Sequence, residues 1–131
     1  MLNFKISEFI KSAVAVKNNI NNYPTLEALD NILNLIVHCI QPVRNIINKP
    51  IIITSGYRCE KLNTLVKGKS NSQHKLGQAA DFIIKDMKVD DIINIIKNSN
   101  IVFDQLINEY GKWVHISYNK NHNRKQILKI K

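Results

Sequence analysis

The chain has 131 residues, of which 44% are hydrophobic, and its formal net charge is +9. This length corresponds to one domain, which buries roughly two thirds of the unfolded chain's surface and so forms a core without covalent staples. Its two cysteines, Cys39 and Cys59, fall in different predicted elements and form no CxxC pair, which argues against a disulfide framework. No apolar run is long enough to cross a bilayer, and the N-terminus lacks the features of a signal peptide.

The net charge favours an anionic partner, either a nucleic acid or an anionic cell-wall polymer. The lysines are scattered except in the stretch NRKQILKIK, so a solvated basic surface is an equal alternative. Proteins that bind single-stranded nucleic acid present stacking aromatics in a basic groove. The only clustered aromatics are Tyr110, Trp113 and Tyr118. We therefore rank a nucleic-acid partner low.

The first half of the chain predicts two helices. The segment ISEFIKSAVAV, residues 6–16, predicts a short amphipathic helix with Ser7 as its N-cap. The inward face of this helix would consist of Phe9, Ile10, Ala13 and Val16. A long helix is predicted after Thr25, because apolar residues then recur three and four positions apart. These residues are Leu26, Leu29, Leu33, Ile36, Ile40, Val43 and Ile47. Pro42 is expected to kink this helix or to interrupt its hydrogen bonds.

From residue 50 onward, strands and helices alternate. PIIITSGYR predicts a buried strand and turn, CEKLNTLVK a short helix, AADFII a second strand, and VDDIINIIKNS a helix. FDQLINEY and KWVHISY predict a hairpin that turns near Gly111. This order predicts an α+β fold with a small mixed or antiparallel sheet and helices on one side. We divide the single predicted domain, 1–131, into a helical part (1–49), a core (50–118) and a basic C-terminal tail (119–131).

Three residues of the types that bind zinc lie on or beside these strands. His74 precedes the second strand, Asp81 lies within it, and His115 lies in the last strand. Two histidines and one carboxylate are typical of catalytic zinc sites, which keep a fourth position for water. An aspartate among apolar strand residues needs a partner, and a metal ion would serve. The remaining histidines, His38 and His122, are assigned to the surface.

The stretch between the first two of these candidates is rich in small residues. Gly77 is expected to take a backbone conformation closed to other residues, so that the chain turns tightly after His74. Ala79 and Ala80 are expected to leave room beside the metal and the substrate. Asp81 would thereby reach the same ion as His74.

The runs TSGYR, SQHKLGQAADF and FDQLINEYGKWVHIS resemble the zinc D-Ala-D-Ala carboxypeptidase family. That family includes peptidoglycan carboxypeptidases, D,D-dipeptidases and phage endolysins, and it shares its fold with the hedgehog signalling domain. Its pattern, Ser-x-His-x-x-Gly-x-Ala-x-Asp followed by Trp-x-His, is matched here by Ser72, His74, Gly77, Ala79, Asp81, Trp113 and His115. The resemblance covers residues 50–118.

The resemblance also implies roles for particular residues. The implied zinc ligands are His74, Asp81 and His115. The implied substrate contacts are Ser72, Gln73 and Trp113. Arg58 would steady the substrate carbonyl or the developing oxyanion, a role that suits a fixed guanidinium. The implied substrate is a peptide of peptidoglycan.

The general base is where this chain departs from the family pattern. Many members place the catalytic glutamate three residues before the last histidine, a position that Lys112 occupies here. The nearest carboxylate is Glu109, six residues before His115, a spacing that resembles the hedgehog domain and compact phage-type members. We assign the base role to Glu109, with Asp104 as a second candidate.

The length of the hairpin loop decides whether this assignment is possible. With a two-residue loop, Glu109 would face away from His115, because strand residues alternate between faces. With a three-residue loop, 110–112, Glu109 pairs with Trp113 and Ile107 lies opposite His115. Glu109 then shares a face with His115. We predict the three-residue loop, with Gly111 helping to supply a left-handed conformation.

Together these features predict a zinc metallopeptidase of the carboxypeptidase or endolysin type that acts on stem peptides of peptidoglycan and is phage-related. Without an export signal, such an enzyme is expected in the cytoplasm until lysis, or on a virion. The first alternative is a zinc-binding structural or virion module without catalysis, which Lys112 at the usual glutamate position favours. Nucleic-acid binding is the second.

Overall fold

The computed structural model describes residues 2–131, and Met1 lies outside the described residues. It confirms the α+β prediction: five strands form an open mixed sheet with helices packed against it. The helices are α1 (Ala13–Lys17), α2 (Leu26–Leu35), α3 (Gln41–Ile47), α4 (Glu60–Leu65) and α5 (Val89–Lys97). The strands are β1 (Ile52–Ser55), β2 (Ala79–Ile83), β3 (Gln105–Glu109), β4 (Trp113–Ser117) and β5 (Gln126–Ile130). Among residues 2–131, no helix combines the length and hydropathy that a bilayer crossing requires.

The strands lie in the order β1-β2-β4-β3-β5, with β5 parallel to β3 and every other pair antiparallel. One row of paired residues crosses the whole sheet: Ser55, Asp81, His115, Ile107 and Leu128. Because strand residues alternate between faces, the side chains of this row lie on the face of the sheet opposite the helices. The opposite face of the sheet carries Phe82, Val114 and Leu106, which are fully buried in the core with the helices.

The long helix runs from α2 to α3 through a π-helical turn at Ile36–Ile40. It begins as predicted at Thr25, whose side chain accepts a hydrogen bond from the N–H of Ala28. In the π turn, the N–H of Gln41 bonds to the carbonyl of Ile36, five residues back. Pro42 follows immediately and has no N–H to donate. The expected interruption of the regular hydrogen bonds is therefore present as a wider turn, and the helix continues beyond it.

The predicted inward face of α2 is wrong in its first turns. Leu26 is 86% exposed, and Leu33 is also exposed, whereas Asn31 and Ile32 are buried. Asn31 is buried because its side-chain amide donates to the carbonyl of Leu76 at 2.8 Å. Leu76 ends the 3₁₀ turn Gln73–Leu76, which carries His74. The buried face of α2 therefore includes a hydrogen bond from Asn31, which fixes the turn that carries His74, where the sequence predicted an apolar contact.

The prediction of one helix over residues 6–16 is also wrong. Residues Ile6–Phe9 form a 3₁₀ turn, and α1 begins separately after Ser12, whose hydroxyl accepts from the N–H of Ala15. Ser7 is therefore not an α-helical N-cap. The break follows Phe9, whose side chain is buried and whose carbonyl accepts a hydrogen bond from the N–H of Tyr57 at 2.6 Å. This long-range contact, which fixes the end of β1, has no signature in local periodicity.

Residues 119–131, predicted as a basic tail, contain the strand β5. All five residues of β5 are exposed, so neither face is buried deeply enough to require an alternating apolar pattern. The strand is held by its backbone pairing to β3. The sequence therefore gives little indication of it.

Gly77 is expected to be hard to replace, because it combines a left-handed backbone with a close approach to a neighbouring helix. Its φ is +76°, and a Cβ atom there would lie 2.5 Å from the carbonyl oxygen of Ala28. Gly111 has a similar φ of +66°, but a Cβ atom there would meet no atom within 4 Å, so it is a matched control. Gly111→Ala should cost about 1 kcal/mol of unfolding free energy from backbone strain alone. Gly77→Ala should cost about 3 kcal/mol or more, because the clash adds to the strain. Urea denaturation of both variants measures the difference, and equal costs would contradict the close packing at Gly77.

Candidate active site

His74 is held in one orientation by the backbone at the end of β1. Its Nδ1 lies 2.7 Å from the carbonyl oxygen of Gly56, which can only accept a hydrogen bond. The proton of the neutral ring therefore resides on Nδ1, and the lone pair of Nε2 points towards Asp81, 3.4 Å from Oδ1. Such an outer hydrogen bond is typical of metal-binding histidines. Gly56 was not predicted as part of the site, because its contact is made by a backbone carbonyl, which every residue type has.

Asp81 and His115 are direct neighbours on adjacent strands, β2 and β4. The Nδ1 of His115 lies 2.9 Å from Oδ1 of Asp81. The side chains of His74, Asp81 and His115 are 4%, 13% and 10% exposed. The three predicted ligands are thus brought together at one largely buried point.

The chemistry of these three groups fits a metal ion. One ring nitrogen of His74, one ring nitrogen of His115 and a carboxylate oxygen of Asp81 all lie within 4.8 Å of one another. A lone pair of Nε2 facing a carboxylate oxygen places two acceptors together, an arrangement that a cation between them stabilises. Two imidazoles and one carboxylate are a set that zinc accepts with one position left open.

Glu109 approaches the same point from the hairpin. The register confirms the three-residue loop: Glu109 pairs with Trp113, and Ile107 pairs with His115. Oε1 of Glu109 consequently lies 3.5 Å from Nδ1 of His115. The left-handed conformation is present at Gly111, as predicted, and also at Tyr110. Glu109 is therefore on the face that a base would require.

The two carboxyl groups titrate in opposite directions. Burial alone would raise the pKa of Asp81, but the imidazole nitrogens of His115 and His74 beside it outweigh burial and hold the pKa below its ordinary value. For Glu109, burial raises the pKa, and the negative charge of Asp81 raises it further. Asp81 is thus held as a carboxylate, as a ligand must be, while Glu109 binds a proton more readily than an exposed glutamate.

Arg58 lies beside these groups, directly after β1. Its backbone N–H donates to the carbonyl of His74 at 3.0 Å, which ties it to the ligand loop. Burial lowers the pKa of its guanidinium, and the charges of Asp81 and Glu109 oppose that effect. Its Nε atom is buried and has no hydrogen-bond partner in the protein. A buried, unpaired donor at this position is suited to a substrate oxygen.

These groups line one cleft of about 560 Å³, a size typical of small-ligand and peptide sites. The predicted substrate contacts, Ser72, Gln73 and Trp113, all line it as well. The hydroxyl of Ser72 also accepts from the N–H of His74 at 3.2 Å, so it helps to shape the ligand loop. Lining residues that were not predicted include Lys67, Lys69, Gln105, Tyr110, Arg124 and Ile130.

Two expectations about the site are wrong. Asp104, the second candidate for the base, is paired with Arg124 at 2.8 Å and does not line the cleft. A hydrogen bond from Arg124 is the largest cause of its lowered pKa. Ala79 and Ala80 do not line the cleft either, because both are almost completely buried inside the protein. Their small size serves interior packing, and only Gly77 has the predicted role in the turn.

Arg58→Lys is expected to retain the fold and the metal content but to lose most of the hydrolytic rate. Lysine keeps the positive charge but cannot reproduce the planar fork of the guanidinium. A loss on the order of 10²-fold in kcat is expected, the usual effect of removing an oxyanion donor. Arg44→Lys, on the surface of α3, is the matched control. Equal rates for the two variants would remove Arg58 from the reaction.

A cleft that brings together two histidines, an aspartate, a second carboxylate and a guanidinium is an arrangement typical of metal-dependent hydrolases. The model of the peptidase M15 family matches residues 2–117. The chain therefore belongs to the peptidase M15 family, a family of hydrolases. No curated protein matches the chain.

Proposed function

We propose that the protein is a zinc-dependent peptidase that cleaves stem peptides of peptidoglycan, as a carboxypeptidase or as an endopeptidase of the endolysin type. The observation that carries the proposal is the position of Glu109, whose carboxylate faces the point where His74, Asp81 and His115 converge. A non-catalytic metal module has no need of a partly buried carboxylate there. The family match supports a peptide substrate.

The residues of the cleft divide the work of peptide hydrolysis. His74, Asp81 and His115 would hold the zinc ion, which supplies Lewis acidity towards the scissile carbonyl and the attacking water. Glu109 takes a proton from that water and delivers it to the leaving amine. Its raised pKa suits this transfer, because a carboxylate of higher pKa is a stronger base towards the water.

Arg58 and the walls of the cleft position the substrate. The guanidinium of Arg58, with its unpaired Nε, donates to the carbonyl oxygen as negative charge develops on it. Ser72, Gln73 and Trp113, which line the cleft, would contact the peptide. We further propose a phage-related origin, with the enzyme kept in the cytoplasm until lysis or carried on a virion. The net charge of +9 would favour binding to anionic wall polymers.

The proposal is tested by metal analysis of the purified protein, followed by digestion of purified cell walls. We expect about one zinc ion per chain, and soluble products whose masses identify the cleaved bond. Bound zinc with no product would favour the alternative, a zinc-binding structural or virion module. A salt-dependent shift of DNA, without wall hydrolysis, would favour nucleic-acid binding instead.

A further inference from the structure

The family match ends at residue 117, yet the chain continues along the edge of the cleft. We call residues 119–131 the arm. Its strand, β5, pairs in parallel with β3, the strand that carries Glu109. The N–H of Tyr110 donates to the carbonyl of Ile130 at 2.8 Å, so the arm is bound to the hairpin loop beside the site.

One buried carboxylate anchors the arm. Asp104, which is 3% exposed, accepts hydrogen bonds from the backbone N–H, Nε and Nη2 of Arg124 at 2.9, 2.9 and 2.8 Å. Its Oδ2 also accepts from Nε2 of Gln73 at 3.0 Å. Such bidentate, charge-assisted pairs are strong and directional. Asp104 therefore joins the arm to the loop that precedes His74.

The register determines which side chains of β5 face the cleft. Leu128 pairs with Ile107, and Ile130 pairs with Glu109, so both lie on the face that carries the site. Ile130 lines the cleft and is 39% exposed. Ile127 is 40% exposed but lies on the opposite face, because strand residues alternate. The two isoleucines differ in the face they occupy and hardly at all in exposure.

We propose that the arm is a wall of the substrate site, in which Ile130 contacts an apolar side chain of the peptide next to the bond that Glu109 serves. Arg124 acts as a positioning residue, since it holds the arm through Asp104. Tyr110, itself exposed at the loop and in edge contact with Trp113, extends the same apolar strip. This inference rests on the proposed peptidase function and adds an apolar requirement to its substrate.

Ile130→Ser and its matched control, Ile127→Ser, test the wall directly. Loss of one apolar contact in a substrate pocket lowers kcat/KM by about ten-fold or more. We expect that decrease for Ile130→Ser alone, with metal content and melting temperature unchanged in both variants. The decrease should appear mainly in KM. Equal kinetics for the two variants would overturn the inference while leaving the peptidase function intact.

Arg124→Ala tests the anchor by a second readout. We expect faster amide hydrogen exchange over residues 126–130, a raised KM and unchanged metal content. The arginine side chain is half exposed, and Asp104 keeps the hydrogen bonds from Gln73 and from the backbone N–H of residue 124, so the variant should fold. Unchanged exchange and kinetics would show that the backbone pairing holds the arm alone, and the role of Arg124 would be lost.

A binding measurement separates failure of this inference from failure of the proposed function. Soluble stem peptides from purified peptidoglycan are added to the metal-loaded Glu109→Gln variant, and amide exchange is followed. Protection of residues 126–130 supports the arm as a peptide-binding wall, even if the wild-type protein releases no product and the function fails. Binding without such protection, or no binding at all, overturns the arm as a substrate wall.

Discussion

Glu109→Gln is expected to lower the rate of peptide hydrolysis by on the order of 10²–10⁴-fold, the usual cost of losing a general base. Glutamine keeps the size and shape of the side chain but cannot accept the proton of the attacking water. The fold should persist, because Glu109 is a hairpin residue held by backbone pairing to Trp113. Metal content should also persist, because the three candidate ligands are untouched. The measurement is kcat on stem peptides, with metal content determined on the same preparation.

A matched control for this variant is Glu27→Gln, since Glu27 is an exposed glutamate in the first turn of α2. It should retain the wild-type rate. Full activity in Glu109→Gln would place the base elsewhere, and Asp104 could not replace it because Arg124 occupies both of its oxygens. Loss of metal in Glu109→Gln would instead make Glu109 a ligand.

The face of Glu109 was predictable because hairpins obey a parity rule. Side chains alternate along a strand, so the loop length alone decides which residues share a face with His115. Gly111 favoured a loop with left-handed residues, and the pairing of Glu109 with Trp113 followed. Regular spacing also made α5 predictable, because its residues Val89, Ile92, Ile93 and Ile96 recur three and four positions apart and are buried together.

The rest of the site depends on contacts between backbone groups and distant side chains, which no local pattern encodes. The carbonyl of Gly56 orients His74 across 18 positions in sequence, and Asn31 reaches Leu76 across 45. The contact of His74 with the carbonyl of Gly56 cannot be predicted from residue type, because every residue has a backbone carbonyl. The burial of Asn31 could not be predicted either, because an asparagine inside a leucine-rich helix normally indicates a surface position. The prediction for Asp104 fails for the same reason, since its partner Arg124 lies 20 positions away in the segment predicted as a tail.

Removal of one candidate ligand should abolish metal binding and the stabilisation that comes with it. His74→Ala is expected to lose zinc and activity together. A ligand that binds only the native state stabilises it by about 2.7 kcal/mol at 100 times its dissociation constant. For a chain of this size, such a gain corresponds to a rise in melting temperature on the order of 10 °C. Wild-type protein should show this rise when zinc is restored after chelation, and the variant should not.

The comparison must be made within each variant, because His74 also contributes without a metal. Its bond to the carbonyl of Gly56, at 2.7 Å, is lost in His74→Ala, so the metal-free variant should already melt below metal-free wild type. Because the zinc-induced shift is the difference between the metal-loaded and metal-free forms of the same variant, the cost of losing this hydrogen bond does not enter it. His38→Ala is the matched control, since His38 is exposed and stacks on Tyr118 away from the cleft, and it should keep the full shift. A full shift in His74→Ala would mean that the ion is held without His74, and the proposed metal centre would have to be abandoned.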